Sequence, residues 1–275
     1  MKQHKTNQKL ELDLITQAIY LRYGIDFRDY SLNSLYRRLM RRLKIEGLHS
    51  LGEMQHKVIY EPEFFHKVYQ DFSVQVTEMF RDTSFFQLIK NEVLSQLKPK
   101  MHLKVWVAGC ATGEEIFSLA ILFHEAGLYE KTDFYATDMN TKVINQAKTG
   151  DLRKERIPRY NTAYHSVGGK GDLLDYLDIQ KRQVKIKPWL LENIVFADHN
   201  LAQDQAFAEM DLIVCRNVLI YFNKDLQKKV LQLFRASLIK EGFIGFGMQE
   251  SLYFSDYADE FQEISSIEKL YQWNG

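Results

Sequence analysis

The sequence predicts an α/β fold: a mostly parallel sheet flanked by helices, preceded by an all-α segment and interrupted by a small β insertion. Three observations carry this reading. Before Met101, apolar positions recur at three- and four-residue steps with no Val/Ile-rich alternation. From Met101 onward, short apolar runs alternate with helical stretches, the rhythm of βαβ units. Between Arg153 and Leu191 that rhythm breaks, first around Gly168-Gly169-Lys170-Gly171 and then where Val184 and Ile186 alternate.

Taken in order, a first helix is expected over residues 10–23, with Leu10, Leu14, Ile15, Ala18, Ile19 and Leu21 mostly on one stripe. Gly24 stops it, because glycine accepts left-handed backbone at little cost. A second helix over 31–45 turns Leu32, Leu35, Leu39 and Leu43 inward, sets Arg37, Arg38, Arg41 and Arg42 largely on other faces, and ends at Gly47. Helices over 51–60, 63–71 and 83–98 follow, the last before Pro99. Residues 103–108 form the first strand, 114–125 a helix, 132–137 a second strand ending at Asp138, and 141–148 a helix. Strands over 194–197 and 211–215, a helix over 226–238, and strands over 243–248 and 268–273 complete the pattern. The insertion reads as a β-hairpin with a glycine-rich tip at Gly168–Gly171. The expected division is a helical domain over 1–86 and a second domain over 87–275, with the β-subdomain at 155–190.

Composition narrows the class. The 275 residues are 45% hydrophobic and 26% charged, which is ordinary globular usage. No run approaches the ~18 apolar residues of a membrane span, and the polar, Lys-rich start lacks a secretory core. Cys110 and Cys215 cannot build a disulfide framework and suggest a reducing cytoplasm, where both are expected to be buried free thiols. The eight histidines show no metal-ligand spacing, so no metal site is expected. Lys plus Arg equals Asp plus Glu at 36 each, which argues against a dedicated nucleic-acid binder. Residues 1–60 nevertheless hold 11 basic against 6 acidic side chains, so the N-terminal part suits an acidic partner.

The sharpest local signal is Val105-Trp-Val-Ala-Gly109-Cys-Ala-Thr-Gly113-Glu114-Glu115: a buried strand, a glycine turn, then a helix beginning with acids. Glycine at the carboxyl end of a first strand lets backbone approach a ligand closely. Asp138, ending the second strand, can accept hydrogen bonds from both hydroxyls of a ribose. Dinucleotides and S-adenosylmethionine share this layout, and the glycine spacing separates them. A pyrophosphate site wants G-x-G-x-x-G at a helix N-terminus, whereas here the spacing is G-x-x-x-G with two carboxylates at the helix start. Those acids would repel a pyrophosphate and suit a ligand carrying an ammonium and a sulfonium. Asn200, after the third strand, and Arg216-Asn217, after the fourth, occupy further ligand-side positions.

Four blocks together resemble the chemotaxis-receptor glutamate methyltransferases of the CheR type, over roughly residues 12–273. Thr77-Glu-Met-Phe-Arg81 is similar to T-x-F-F-R, Trp106–Glu115 to W-x-A-G-C-S-T-G-E-E, Ala136–Ile144 to A-T-D-I-D-x-x-V-L, and Cys215–Phe222 to C-R-N-V-M-I-Y-F. The resemblance implies a Rossmann-like S-adenosylmethionine domain behind a helical domain, with an inserted β-subdomain. It implies that Gln75, Thr77, Arg81, Gly109, Glu115, Asp138, Asn200, Leu201, Arg216 and Asn217 line the site for S-adenosylmethionine and its product S-adenosylhomocysteine, with Tyr221 near the transferred methyl group. Arg37, Arg38, Arg41 and Arg42 are implied to dock the acidic methylation helix of a chemoreceptor's cytoplasmic domain. Such an enzyme serves sensory adaptation in the cytoplasm, is expected to be monomeric, and neither inserts in a membrane nor binds nucleic acid. The chain departs from the family at Gln75, where Asn is usual, at Thr149-Gly-Asp-Leu, where S-G-x-Y is frequent, and at Gln249-Glu-Ser251, where S-E-S is frequent.

The chemistry explains why no His or Cys catalyst stands out. A glutamate side chain ionises near pH ~4.3 and is already a nucleophile at neutral pH. The work left is alignment and desolvation, for which Arg81, Arg216 and Tyr221 are the expected catalytic groups. Competing readings are a nucleic-acid methyltransferase, disfavoured by Cys215-Arg-Asn-Val in place of an Asn/Asp-Pro-Pro-aromatic loop, and a cofactor-binding scaffold without turnover. A nicotinamide oxidoreductase fits least, on the glycine spacing.

Overall fold

The computed structural model describes residues 2–72, 77–253 and 255–275. By packing, the chain divides into two compact units, Met1–Val74 with Leu219–Val230, and Gln75–Val218 with Leu231–Gly275.

The first unit is helical: α1 (Lys2–Tyr23), α2 (Leu32–Glu46), α3 (Leu51–Tyr60) and α4 (Pro62–Phe72). Apolar stripes explain the packing, since Ile15, Ile19, Leu35, Leu39, Met54, Val58 and Val68 are all essentially inaccessible to water. α1 begins well before residue 10, because a polar start costs a helix little where nothing competes for it. α2 ends as expected at Gly47, whose φ of 66° lets the amides of Gly47 and Leu48 turn back to the carbonyls of Lys44 and Leu43. Ser50 caps α3 by accepting a hydrogen bond from the Glu53 amide at 3.1 Å. Residues 219–230 complete this unit. Phe222 packs edge-on against Tyr30 with ring centres 5.0 Å apart, and the Ser31 amide donates to the Tyr221 carbonyl at 2.8 Å.

The second unit is built on a seven-stranded sheet. Its strands are β1 (Leu103–Ala108), β2 (Thr132–Asp138), β6 (Ile194–Asp198), β7 (Met210–Cys215), β8 (Leu238–Phe246), β9 (Phe261–Ser265) and β10 (Leu270–Trp273), in the order β6-β2-β1-β7-β8-β10-β9. The first five are mutually parallel and β10 runs antiparallel to both neighbours. Chain order reverses between β1 and β7, so the loops after these strands face each other, where open α/β sheets bind ligands. Helix α7 (Glu114–Glu125) follows β1, and α8 (Thr141–Lys148) follows β2. This is the mostly parallel α/β architecture expected, with β9 missed and the penultimate strand placed too late. Among the described residues, no helix is long and apolar enough to cross a membrane.

Three expectations are corrected. The helix expected over 83–98 is α5 (Thr83–Leu88), a wider π turn at Ile89–Val93 and α6 (Leu94–Leu97). More consequentially, Gly168–Gly171 is not a hairpin tip. It follows α9 (Ile157–Ser166), where the Gly168 and Gly169 amides cap the helix by bonding the carbonyls of His165 and Tyr164. A Cβ at Gly169 would fall 2.2 Å from the Tyr164 ring, so close packing rather than a loop tip calls for glycine there. The insertion's sheet is three-stranded, β3 (Asp151–Leu152), β5 (Val184–Ile186) and β4 (Leu177–Ile179) in that order, and its hairpin turns at Gln180–Gln183. Residues 77–86 also lie outside the helical unit: Met79, Phe80, Phe85 and Phe86 are buried in the core of the α/β unit.

Candidate functional site at the switch point

The turn after β1 is fastened first by backbone. The amides of Gly109 and Cys110 both donate to the Thr137 carbonyl, at 2.7 and 2.9 Å, which fastens the turn to the end of β2. Gly109 has a φ of 81°, and a Cβ there would lie 2.4 Å from Val218. Gly113 opens α7 at φ 97°, where a Cβ would meet the Phe117 ring at 2.6 Å. Both glycines are demanded by φ and by crowding together.

Asp138 ends β2 with 8% of its surface exposed. Its Oδ2 accepts from the Ala111 amide at 3.1 Å and its Oδ1 from the Asn140 amide at 2.9 Å. Burial outweighs these bonds and pushes its pKa up to about 6, with Asp198, directly opposite on β6, adding repulsion. Glu114, also buried, is raised for the same reason while the Thr112 hydroxyl donates to it at 2.5 Å. A strand-end carboxylate with spare lone pairs at a glycine turn fits a ribose.

Arg216 organises the opposite wall. Its side chain is 2% exposed and bridges two acids, Nη1 to Glu115 at 2.7 Å and Nη2 to Asp82 at 2.6 Å. Nη1 also donates to the Arg81 carbonyl at 3.1 Å, and the guanidinium lies 4.3 Å over the Phe85 ring. Its Nε is buried without a partner. The 77–83 segment is thereby pinned to α7 and the loop after β7, helped by the Phe80 amide donating to Ser118 at 2.9 Å. Phe80 and Asp82 take positive φ of 52° and 55°, strain that these contacts hold in place. The segment's other side walls a cavity of about 810 Å³, lined in part by Thr77, Arg81, Arg156, Arg159, Thr162 and Ser166. Arg81 itself is exposed.

The structure therefore brings Arg81, Glu115 and Arg216 together, and Gly109 with Asp138. Thr77 lines the cavity beside Arg81, and its carbonyl accepts from Arg156 at 3.3 Å. Asn200 is engaged locally: its Oδ1 accepts from the Ala202 amide at 3.0 Å and its Nδ2 donates to Gln203 at 2.7 Å. Leu201 is half-buried in the same turn. Gln75 lies outside the described residues. Tyr221 and the four arginines of α2 belong to the helical unit, where Arg38 lies 4.6 Å over the Tyr221 ring and donates to the Asp71 carbonyl at 2.6 Å. Arg42 is held bidentately by Asp71, at 2.6 and 2.9 Å, and reaches Glu46 at 3.0 Å. Of the four, Arg37 and Arg41 are exposed and Arg38 and Arg42 half-buried. Both cysteines are buried and free, and burial raises each thiol well above its ordinary pKa, so neither is a nucleophile at neutral pH. Sequence reasoning missed Asp82 and Glu250. Asp82 directly follows Arg81 in the recognised block, and adjacency was the available clue.

A reversal between β1 and β7, a glycine turn after β1 and an acid closing β2 define the Rossmann-like class to which S-adenosylmethionine-dependent methyltransferases belong. The family described as CheR methyltransferase, SAM binding domain, matches residues 75–269, and its all-alpha domain matches residues 10–73. The chain belongs to the CheR methyltransferase family and is an S-adenosylmethionine-dependent methyltransferase. It is similar to Cher3 of Pseudomonas putida, 40% identical over 266 residues that make up 97% of each chain. It is 26% identical to the chemotaxis protein methyltransferase of Borreliella burgdorferi over 89% of each chain. The corresponding protein of Klebsiella aerogenes is 28% identical over 91% of this chain and 83% of its own. Among solved structures, the N-methyltransferase NodS of Bradyrhizobium japonicum, in complex with S-adenosylhomocysteine, aligns at a TM-score of 0.39 and 16% identity, over 71% of this chain and 86% of that one. PKMT2 of Rickettsia typhi aligns at 0.32 and 16%, over 53% of this chain and 21% of its own.

Proposed function

We propose that the chain methylates glutamate side chains on the cytoplasmic methylation helices of a chemoreceptor, giving sensory adaptation, and that it acts as a cytoplasmic monomer. One observation carries the choice of acceptor. Among the described residues, the lining of the cavity beside Arg81 includes arginines and acids and no His or Cys to take a proton, and a carboxylate is the acceptor that needs none. When bound, S-adenosylmethionine supplies an electrophilic methyl group on a sulfonium. The chain's own part is positioning. Asp138 accepts the ribose hydroxyls with the acceptor capacity its backbone partners leave. Glu115 and Asp82 fix the Arg216 guanidinium, leaving its Nε as a directed donor. Arg216 is thus neutralised by two acids, which leaves Arg81, with Thr77, as the group that orients a carboxylate at the cavity's edge. Gln75, Asn200, Leu201 and Asn217 complete the cofactor contacts, and Tyr221 is assigned to the reaction by its place in the recognised Cys215–Phe222 block. Arg37 and Arg41 present the outward charge of α2 to the acidic receptor helix, whereas Arg38 and Arg42 brace the helical unit.

The test is the product. Incubation with methyl-labelled S-adenosylmethionine and receptor-containing membranes should label a membrane protein, and alkali should release the label as methanol. Hydroxide attacks an ester carbonyl readily, whereas methylated amines resist it. Label stable to alkali would refute glutamate as the acceptor, and tight cofactor binding without labelling would favour a scaffold.

A further inference from the structure

We infer that Glu250 is a positioning residue, whose buried carboxylate fixes the loop after β7 so that Arg216 and Asn217 are presented to the cofactor; this rests on the placement of those two residues in the cofactor site. Glu250 is 4% exposed and lies in the loop that follows β8. Its carboxylate accepts three backbone hydrogen bonds. The amides of Gly247 and Asn217 donate to Oε2 at 2.7 and 2.8 Å, and that of Val218 donates to Oε1 at 2.8 Å. Two strand-end loops are thereby tied through one side chain. Charge-assisted bonds to successive amides are strong, and they fix Asn217 at φ 61°, a left-handed angle that Asn adopts more readily than most residues.

A separate observation shows that the arrangement is built. A Cβ on Gly247 would lie 2.7 Å from Glu250 Oε2 and 2.9 Å from both the backbone nitrogen and Nδ2 of Asn217. Gly247 thus leaves the space in which the carboxylate and Asn217 meet. The side chain of Arg216 anchors the loop on one side through Glu115 and Asp82, and Glu250 anchors its backbone on the other. Only a carboxylate meets the demand, because an amide has one accepting oxygen and would turn an NH2 group toward a backbone N–H.

Glu250→Gln is the direct test, read as S-adenosylhomocysteine affinity by calorimetry on protein shown by thermal melting to be folded. Losing one charge-assisted bond in the loop should weaken binding about tenfold. Asn217→Gly removes the Asn217 side chain while tolerating its backbone angle, and should weaken binding on its own. If Glu250 acts through Asn217, the double variant should bind no worse than Asn217→Gly, whereas a purely structural role would make the two losses multiply. Should Glu250→Gln fail to fold, Gly247→Ala should weaken binding by crowding the same two groups. Folded Glu250→Gln with unchanged affinity, or multiplying losses, would overturn the inference. Unchanged affinity in Asn217→Gly would overturn the placement of Asn217 in the cofactor site, and with it what Glu250 is said to present.

Discussion

Lowering the pH should loosen the cofactor through Asp138. Burial holds this carboxyl at about 6 before any ligand contributes. Ribose hydroxyls donate to the ionised form, so binding selects the carboxylate and draws its pKa down. Affinity is therefore full above pH 6 and is lost as pH falls through it. One unit below that value only about one molecule in eleven is ionised, which weakens binding about tenfold, or ~1.4 kcal/mol. Titration calorimetry with S-adenosylhomocysteine from pH 8 to pH 5 should show this fall. Near pH 6 it should also show proton release, measured by comparing buffers of different ionisation heat. Asp138→Asn should bind weakly at every pH and lose the slope, which separates Asp138 from buried Glu114, also raised by burial. A flat profile in the natural protein, or the same slope in Asp138→Asn, would refute the reasoning.

Arg216→Lys cannot satisfy Glu115 and Asp82 together, and unpairing a buried acid should cost about 3 kcal/mol, visible as a fall of several degrees in Tm alongside weakened cofactor binding. Reversing Arg37 and Arg41 to Glu should raise the apparent KM for receptor while leaving Tm and cofactor affinity unchanged. Reversing Arg42 instead should lower Tm, because its bidentate partner Asp71 is left beside a carboxylate. Neither Cys110 nor Cys215 should react with a thiol reagent in the folded protein at pH 7.5, and both should react once it is denatured; fast labelling of the native chain would contradict their burial.

The parallel sheet, the glycine turn and the acid closing β2 were legible because each is a local pattern: a short apolar run, a residue type demanded by φ, a carboxylate at a strand end. The features that escaped depend on partners far along the chain. Glu250 stands in the Gln249-Glu-Ser251 stretch, but nothing local says that Asn217 and Val218 come to meet it. The arginines of α2 look alike in sequence, and only Asp71 and Tyr221 reveal that Arg38 and Arg42 are spoken for. Strand β9 reads Phe-Gln-Glu-Ile-Ser, with little alternation and an edge position that buries little, so its pairing with β10 decides its state. The glycine cluster misled because glycine serves both hairpin turns and helix ends, and the Tyr164 ring that selects between them lies outside the cluster itself.

That residues 219–230 complete the helical unit bears on how the chain is made. A ribosome releases the four N-terminal helices long before it reaches Phe222, Tyr221 and Asn223, which supply the partners of Tyr30, Arg38 and Asp29. The nascent N-terminal part must therefore wait, with the aromatic face around Tyr30 uncovered, until most of the α/β unit has been synthesised. Cutting the gene after residue 74 would leave that wait permanent. Such a fragment should be prone to aggregate, and co-expressing residues 75–275 should rescue it.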